Sequence, residues 1–166
     1  MNIFEFALEK EKFSEEYYRD LANRANHVGI KNILTMLADE EAKHYRTIEQ
    51  MRTETPEQVT DTPLLERARE VFEKMRVSPR KFSFPVTEAE LYRRACKIEE
   101  QSKKFYLERA EKAQDPGQQQ VFKILAQEED KHLYLMENIY SFVSRPETFL
   151  ENAEMYHFND YVGGVL

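Results

Sequence analysis

The 166-residue sequence predicts an all-α protein: an antiparallel four-helix bundle with one long crossover and a short C-terminal helix. Three observations carry this expectation. Glycine and proline are scarce, 4 and 6 in the chain, against about 12% together in ordinary soluble proteins, which leaves too few turn formers for a sheet protein. The breakers are also clustered. None lies between Met1 and Val28 or between Ile30 and Thr55, and later interruptions fall at Pro56, Pro63, Pro79, Pro85, Pro116-Gly117 and Pro146. Finally, apolar residues recur at helical spacing within each uninterrupted stretch.

The first stretch places Phe4, Ala7, Tyr18, Leu21, Ala22 and Ala25 on one stripe, and the second Ile30, Ile33, Leu34, Leu37, Ile48 and Met51. Asn26-His27-Val28-Gly29 is a short connection, so these helices form an antiparallel hairpin over residues 3–52. Residues 53–86 are the crossover, with a short helix expected from Leu64 to Met75. The third stretch opens with the capping-box pattern Thr87-Glu88-Ala89-Glu90 and carries Leu91, Ala95, Ile98, Tyr106 and Ala110. Gln114-Asp115-Pro116-Gly117 leads to the fourth, with Val121, Phe122, Leu125, Met136, Ile139 and Val143, closing a second hairpin over 88–144. Two hairpins joined by a crossover make one bundle domain, residues 1–146. Residues 147–166 are expected to hold the C-terminal helix and an irregular tail from Tyr161.

Bulk composition narrows the function. A hydrophobic share of 41% with 33% charged residues suits amphipathic helices, and 11 Phe and 9 Tyr supply core volume. A net charge of −7 without a long basic cluster argues against nucleic acid, and no apolar run approaches the ~18 residues of a membrane span. The start, Met1-Asn2-Ile3-Phe4-Glu5, does not read as a signal peptide. The single cysteine, Cys96, forbids an internal disulfide or a four-cysteine iron site. These readings fit a cytoplasmic setting.

Shifting the sequence by 88 residues aligns its halves without a gap. Of the 43 positions from 7 to 49, 14 are identical, where chance gives about three. Glu11 falls on Glu99, Ser14 on Ser102, Tyr18 on Tyr106, and the run Leu37 to His44 on Leu125 to His132. General amphipathicity explains matching apolar positions, but not matching charged ones.

Charges belong outside, so charges on the apolar stripe are the informative ones. Glu41 is flanked one and two turns away by Leu34, Leu37, Ala38, Tyr45 and Ile48, and Glu129 by Phe122, Leu125, Ala126, Leu133 and Met136. His44 and His132 follow three residues later on the same faces. Glu11 and Glu99 interrupt the stripes of the first and third helices. Glu40 and Glu128, each with a lysine three residues on, are expected nearer the rim, and Glu100 among Arg93, Lys97, Lys103 and Lys104 on a solvated face. His27 and His157 are read as surface residues. Six inward polar groups result: Glu11, Glu41, His44, Glu99, Glu129 and His132. Four buried carboxylates repel one another, and two divalent cations would balance them. Oxygen and imidazole donors suit iron, manganese or zinc, and four Glu against two His favours iron or manganese.

These residues resemble the rubrerythrin type of the ferritin-like superfamily. The likeness covers roughly residues 3–52 and 88–144. It rests on Ala7/Glu11/Tyr18, its repeat Ala95/Glu99/Tyr106, and the pairs Glu41-x-x-His44 and Glu129-x-x-His132. The resemblance implies that the six inward groups ligate two metal ions, with Glu41 and Glu129 bridging. It also implies that Tyr18 and Tyr106 stand behind the ligands, where a hydroxyl orients a carboxylate. Two departures stand out. Ser102 replaces a further carboxylate of typical members, which puts their peroxide cycle in doubt, and the rubredoxin-like domain they carry needs four cysteines. The expected function is a non-haem di-iron oxidoreductase reacting with hydrogen peroxide or dioxygen, as a peroxidase, oxidase or ferroxidase. It would be a homodimer served by a separate electron-donor protein. The alternatives are an iron-binding, buffering or delivery protein and a metal-free helical interaction module.

Overall fold

A computed structural model describes residues 2–53, 63–78, 82–152, 158 and 161. Six helices follow in order, and no strand occurs among the described residues: α1 (Ile3–Arg24), α2 (Val28–Met51), α3 (Leu64–Arg76), α4 (Val86–Lys112), α5 (Pro116–Ser144) and α6 (Pro146–Glu151). The chain is all-α and ferritin-like in arrangement, as the breaker pattern predicts. His157 and nearly all of the expected tail lie outside the described residues.

Local chemistry explains where the helices begin. Asn2 caps α1 by a reciprocal box with Glu5, satisfying two of the N–H groups that a helix start leaves open. In α2 the His27 ring Nδ1 accepts from the Gly29 N–H at 3.0 Å, and in α5 the Asp115 carboxylate accepts from the Gln118 N–H at 2.8 Å, with Pro116 at the first helical position. His27 and Asp115 are equivalent under the 88-residue shift, so both hairpins turn with a side-chain cap at the same place. His27 is therefore a half-buried capping residue packed edge-on to Phe82, and not a bare surface histidine.

Three further expectations need correction. The capping box at Thr87 to Glu90 does not form. Helix α4 begins earlier, with Pro85 at the cap and no side-chain cap bond, because proline's fixed φ already suits a helix entrance. Gly29 and Gly117 lie inside α2 and α5, not in the turns. Gly29 answers a packing need: a Cβ there would meet Met75 Sδ of α3 at 2.8 Å. Phe4, Ala25, Leu91 and Ile98, expected on the inward stripes, are only half-buried.

The helices within each hairpin, α1 with α2 and α4 with α5, pack along their lengths, and the hairpins meet along two sparser seams. In the α1/α4 seam, Tyr18 meets Glu99 while Tyr106 meets Glu11. In the α2/α5 seam, His44 meets Glu129 while His132 meets Glu41. Rising numbers on one helix face falling numbers on the other, so both seams are antiparallel. The equivalences of the sequence repeat thus become a pseudo-two-fold axis through the bundle. The apolar core divides into two clusters. One holds Tyr18, Ile33, Leu34, Leu135, Met136 and Phe142 and extends to Phe72 of α3 and Phe149 of α6. The other holds Ala7, Ile48, Tyr106, Phe122 and Leu125. A polar layer separates them.

Candidate metal centre

All six inward groups read from the sequence converge in that layer, and each is at most 1% exposed. The repeat places them on facing helices: Glu11 from α1, Glu41 and His44 from α2, Glu99 from α4, Glu129 and His132 from α5. Ligand atoms of Glu11, Glu41, His44 and Glu129 lie within 4.8 Å of one another, as do those of Glu41, Glu99, Glu129 and His132. The two groups share Glu41 and Glu129, and each adds one Glu and one His of its own.

His44 Nδ1 lies 3.1 Å from Glu129, 3.5 Å from Glu41 and 3.6 Å from Glu11. Its symmetry mate, His132 Nδ1, lies 3.0 Å from Glu41, 3.5 Å from Glu129 and 3.6 Å from Glu99. The two imidazoles stack with centroids 5.3 Å apart and planes 5° from parallel. Each Nδ1 therefore faces the carboxylates.

Burial, and after it the charge of Glu41, pushes the Glu11 carboxyl up to about 7, and burial with Glu129 pushes Glu99 up to about 8. For His44, burial acts downward, but the neighbouring carboxylates of Glu11, Glu129 and Glu41 overcome it and hold the ring well above its ordinary range. His132 is held up against burial chiefly by the negative charges of Glu99 and Glu41. Protons and cations are alternative means of neutralising the four carboxylates. The Oε2 atoms of Glu11, Glu41, Glu99 and Glu129 are buried without a hydrogen-bond partner, a costly arrangement unless a cation takes their lone pairs. Oxygen-rich donors with two imidazoles fit two divalent ions.

Tyr18 donates its hydroxyl to Glu99 and Tyr106 donates to Glu11, each across the α1/α4 seam. The expected partnership of tyrosine and carboxylate is thus present, and it links opposite hairpins. Burial, reinforced by Glu99 for Tyr18 and by Glu11 for Tyr106, holds both phenols well above their ordinary range, so they remain donors.

Glu40 and Glu128 depart from expectation. They are 5% exposed rather than at the rim. One ligand atom from each lies within 4.8 Å of the other and of atoms of His44 and His132. Lys43 reaches Glu40 at 3.1 Å and Lys131 reaches Glu128 at 3.5 Å. The lysine spacing is a solvent signal in sequence, but the α2/α5 crossing covers the carboxylates and turns the lysines into their counter-ions. The Nε2 atoms of His44 and His132 are buried without a hydrogen-bond partner, and a nearby carboxylate is the group that commonly takes the second ring N–H of a ligating histidine. The signal of Glu40 and Glu128 in the sequence was the identity of Glu-Glu-x-Lys-His with its repeat at 128–132.

Fold and site together define a helical bundle with a buried Glu/His cluster compatible with a di-iron centre. The model of the rubrerythrin family matches residues 2–141, and the chain belongs to that family. Comparison with curated proteins and with solved structures gave no match. No helix among the described residues is long and apolar enough to cross a membrane.

Proposed function

We propose that the protein is a non-haem di-iron oxidoreductase that reacts with hydrogen peroxide or dioxygen. The observation that carries this reading is the convergence of six buried donors in two overlapping groups, with four carboxylate oxygens left without hydrogen bonds. Glu11 and His44 would hold one iron, Glu99 and His132 the other, and Glu41 and Glu129 would bridge them. A ferrous pair supplies two electrons to an oxidant. The protein's own share is to hold Glu99 and Glu11 in place through Tyr18 and Tyr106, to exclude bulk water, and to keep each histidine's Nδ1 turned inward.

The chain's one cysteine cannot form a rubredoxin-type iron centre, so a separate protein would return electrons, and turnover should be slow without it. Pairing with a second copy and a cytoplasmic setting belong to the same proposal. Metal analysis after gentle purification, followed by the visible spectrum of the ferrous protein under peroxide, tests it. Two irons per chain and a new ferric absorption are expected; an iron-loaded protein that peroxide leaves unoxidised would end the redox reading. The acidic surface, −7 for the apo chain, supports a second reading, iron buffering or delivery. Reversible release of both irons without peroxide consumption would favour it.

A further inference from the structure

Between α1 and α4 a pocket of about 210 Å³ opens to solvent, walled by Phe6, Phe13 and Ile98, with Glu9, Lys10 and Gln101 at its edge and Ser14 among its lining. Ser14 is the one fully buried residue of this lining, which makes it the floor. It lies one turn beyond Glu11 on the same face of α1, and Ile98 directly precedes Glu99. Through Ser14 the floor of the pocket therefore adjoins Glu11, the carboxylate that α1 contributes to the metal layer.

The walls are apolar where solvent would favour polar groups. Phe6 and Phe13 are 45% and 57% exposed, the most exposed aromatic residues among those described, and both face this one pocket. The pseudo-two-fold axis shows that the wall is not a by-product of the repeat, since Phe13 is equivalent to Gln101, and Ile98 to Lys10. The seam is pinned on either side, by the Tyr17 hydroxyl donating to the Leu91 carbonyl at 2.9 Å and by Phe6 against Phe105 with centroids 5.3 Å apart. An apolar cavity of about 150 Å³ can hold a benzene ring, so this pocket has room for one.

From this geometry we infer that the pocket admits organic hydroperoxides, the apolar group resting on Phe6, Phe13 and Ile98 and the hydroperoxyl group pointing past Ser14 towards Glu11. The inference rests on the redox reading above and names its substrate class. Hydrogen peroxide has no apolar group to match such walls. The reaction balances as ROOH with two electrons and two protons giving ROH and water: the O–O bond breaks, two O–H bonds form, and the electrons come from the ferrous pair.

Two measurements test this. In the first, the zinc-loaded protein is titrated with cumyl alcohol while the Ile98 methyl resonance is followed. A saturable shift, lost in Phe13→Ser, is expected. In the second, stopped-flow oxidation of the ferrous protein compares cumene hydroperoxide with hydrogen peroxide. Phe13→Ser should lower the ratio of the two rates about tenfold, the effect of losing one aromatic contact of about 1.4 kcal/mol. An unmoved Ile98 resonance or an unchanged ratio overturns the proposal. So does an Ile98 shift that follows protein concentration alone, which would mean that a second copy covers the pocket. If hydrogen peroxide oxidises the protein and cumene hydroperoxide does not, only the substrate class falls. If neither does, the redox reading falls and takes this proposal with it.

Discussion

The two seams between the hairpins approach the same polar layer from opposite sides, and they differ in kind. In the α2/α5 seam the histidines and the charged groups beside them have like mates: His44 stacks on His132, Glu40 lies near Glu128, and Lys43 and Lys131 serve as matching counter-ions. In the α1/α4 seam only the parts nearest the cluster match, namely Glu11 with Glu99, Ser14 with Ser102 and Tyr18 with Tyr106. Farther out, Phe13 has Gln101 as its equivalent and Lys10 has Ile98. Charge neutralisation inside a dry layer is demanding, because each buried charge needs its counterpart. A wall facing solvent carries no such demand. Symmetry in this molecule therefore follows electrostatics, and the asymmetry falls where the bundle opens.

The most severe way to break the comparison is to remove a ligand from one seam. Glu99→Ala should abolish the two-ion stoichiometry, and Glu11→Ala should do the same, whereas Glu100→Ala should retain both ions by elemental analysis. With metal at a hundredfold excess over its dissociation constant, each lost site also removes about 2.7 kcal/mol of stability. Unequal results for Glu11 and Glu99 would show that the pseudo-symmetry is only geometric.

Metal removal exposes the next effect. Glu11 and Glu99 titrate higher in the fold, at about 7 and 8 against an ordinary 4.5, and both histidines are also raised. A raised group binds more protons folded than unfolded, so its stabilisation is complete below the unfolded pKa and lost as pH rises through the folded one. Metal-free protein should thus be most stable near pH 5 and melt at progressively lower temperature towards pH 8. Metal affinity should rise over that window, with proton release visible by calorimetry in buffers of different ionisation enthalpy. A flat melting profile for the apo protein would contradict the packing described for the cluster.

The α2/α5 seam is probed by Glu40→Gln and Glu128→Gln. If these carboxylates fix the histidines, each change should weaken metal binding by about 10 to 100 fold, read by competition with a chelator, and by equal amounts. Retention of full affinity would make them simple ion pairs with their lysines. Smaller losses are expected from Tyr18→Phe and Tyr106→Phe, about 1–2 kcal/mol each in denaturant melts, since each leaves a buried carboxylate oxygen without its donor. The least effect belongs to the hairpin turns: Asp115→Ala should cost about 1 kcal/mol. His27→Ala should cost less, because an uncharged ring is a weaker partner for the helix dipole.

The cluster was legible in the sequence because a glutamate on an apolar stripe has few explanations, and Glu41 and Glu129 each lie on one. The burial of Glu40 and Glu128 was not legible. A helix's own neighbours, Lys43 and Lys131, say nothing about what the opposite helix covers. Gly29 misled for a related reason. In sequence a glycine reads as a turn, whereas here it makes room for Met75, which lies in α3 of the crossover. The Thr87 to Glu90 motif misled because a local pattern cannot show that Pro85 already starts the helix.

By itself, then, the sequence determined the helices, the pairing within each hairpin and the identity of the six inward groups. All of these depend on spacing along one chain segment, where 3.6-residue periodicity acts directly. Only the tertiary structure decided which tyrosine holds which carboxylate, which glutamates lie beneath the facing helix, and where the bundle opens. Those features depend on how the two hairpins meet, and neither hairpin alone contains that information.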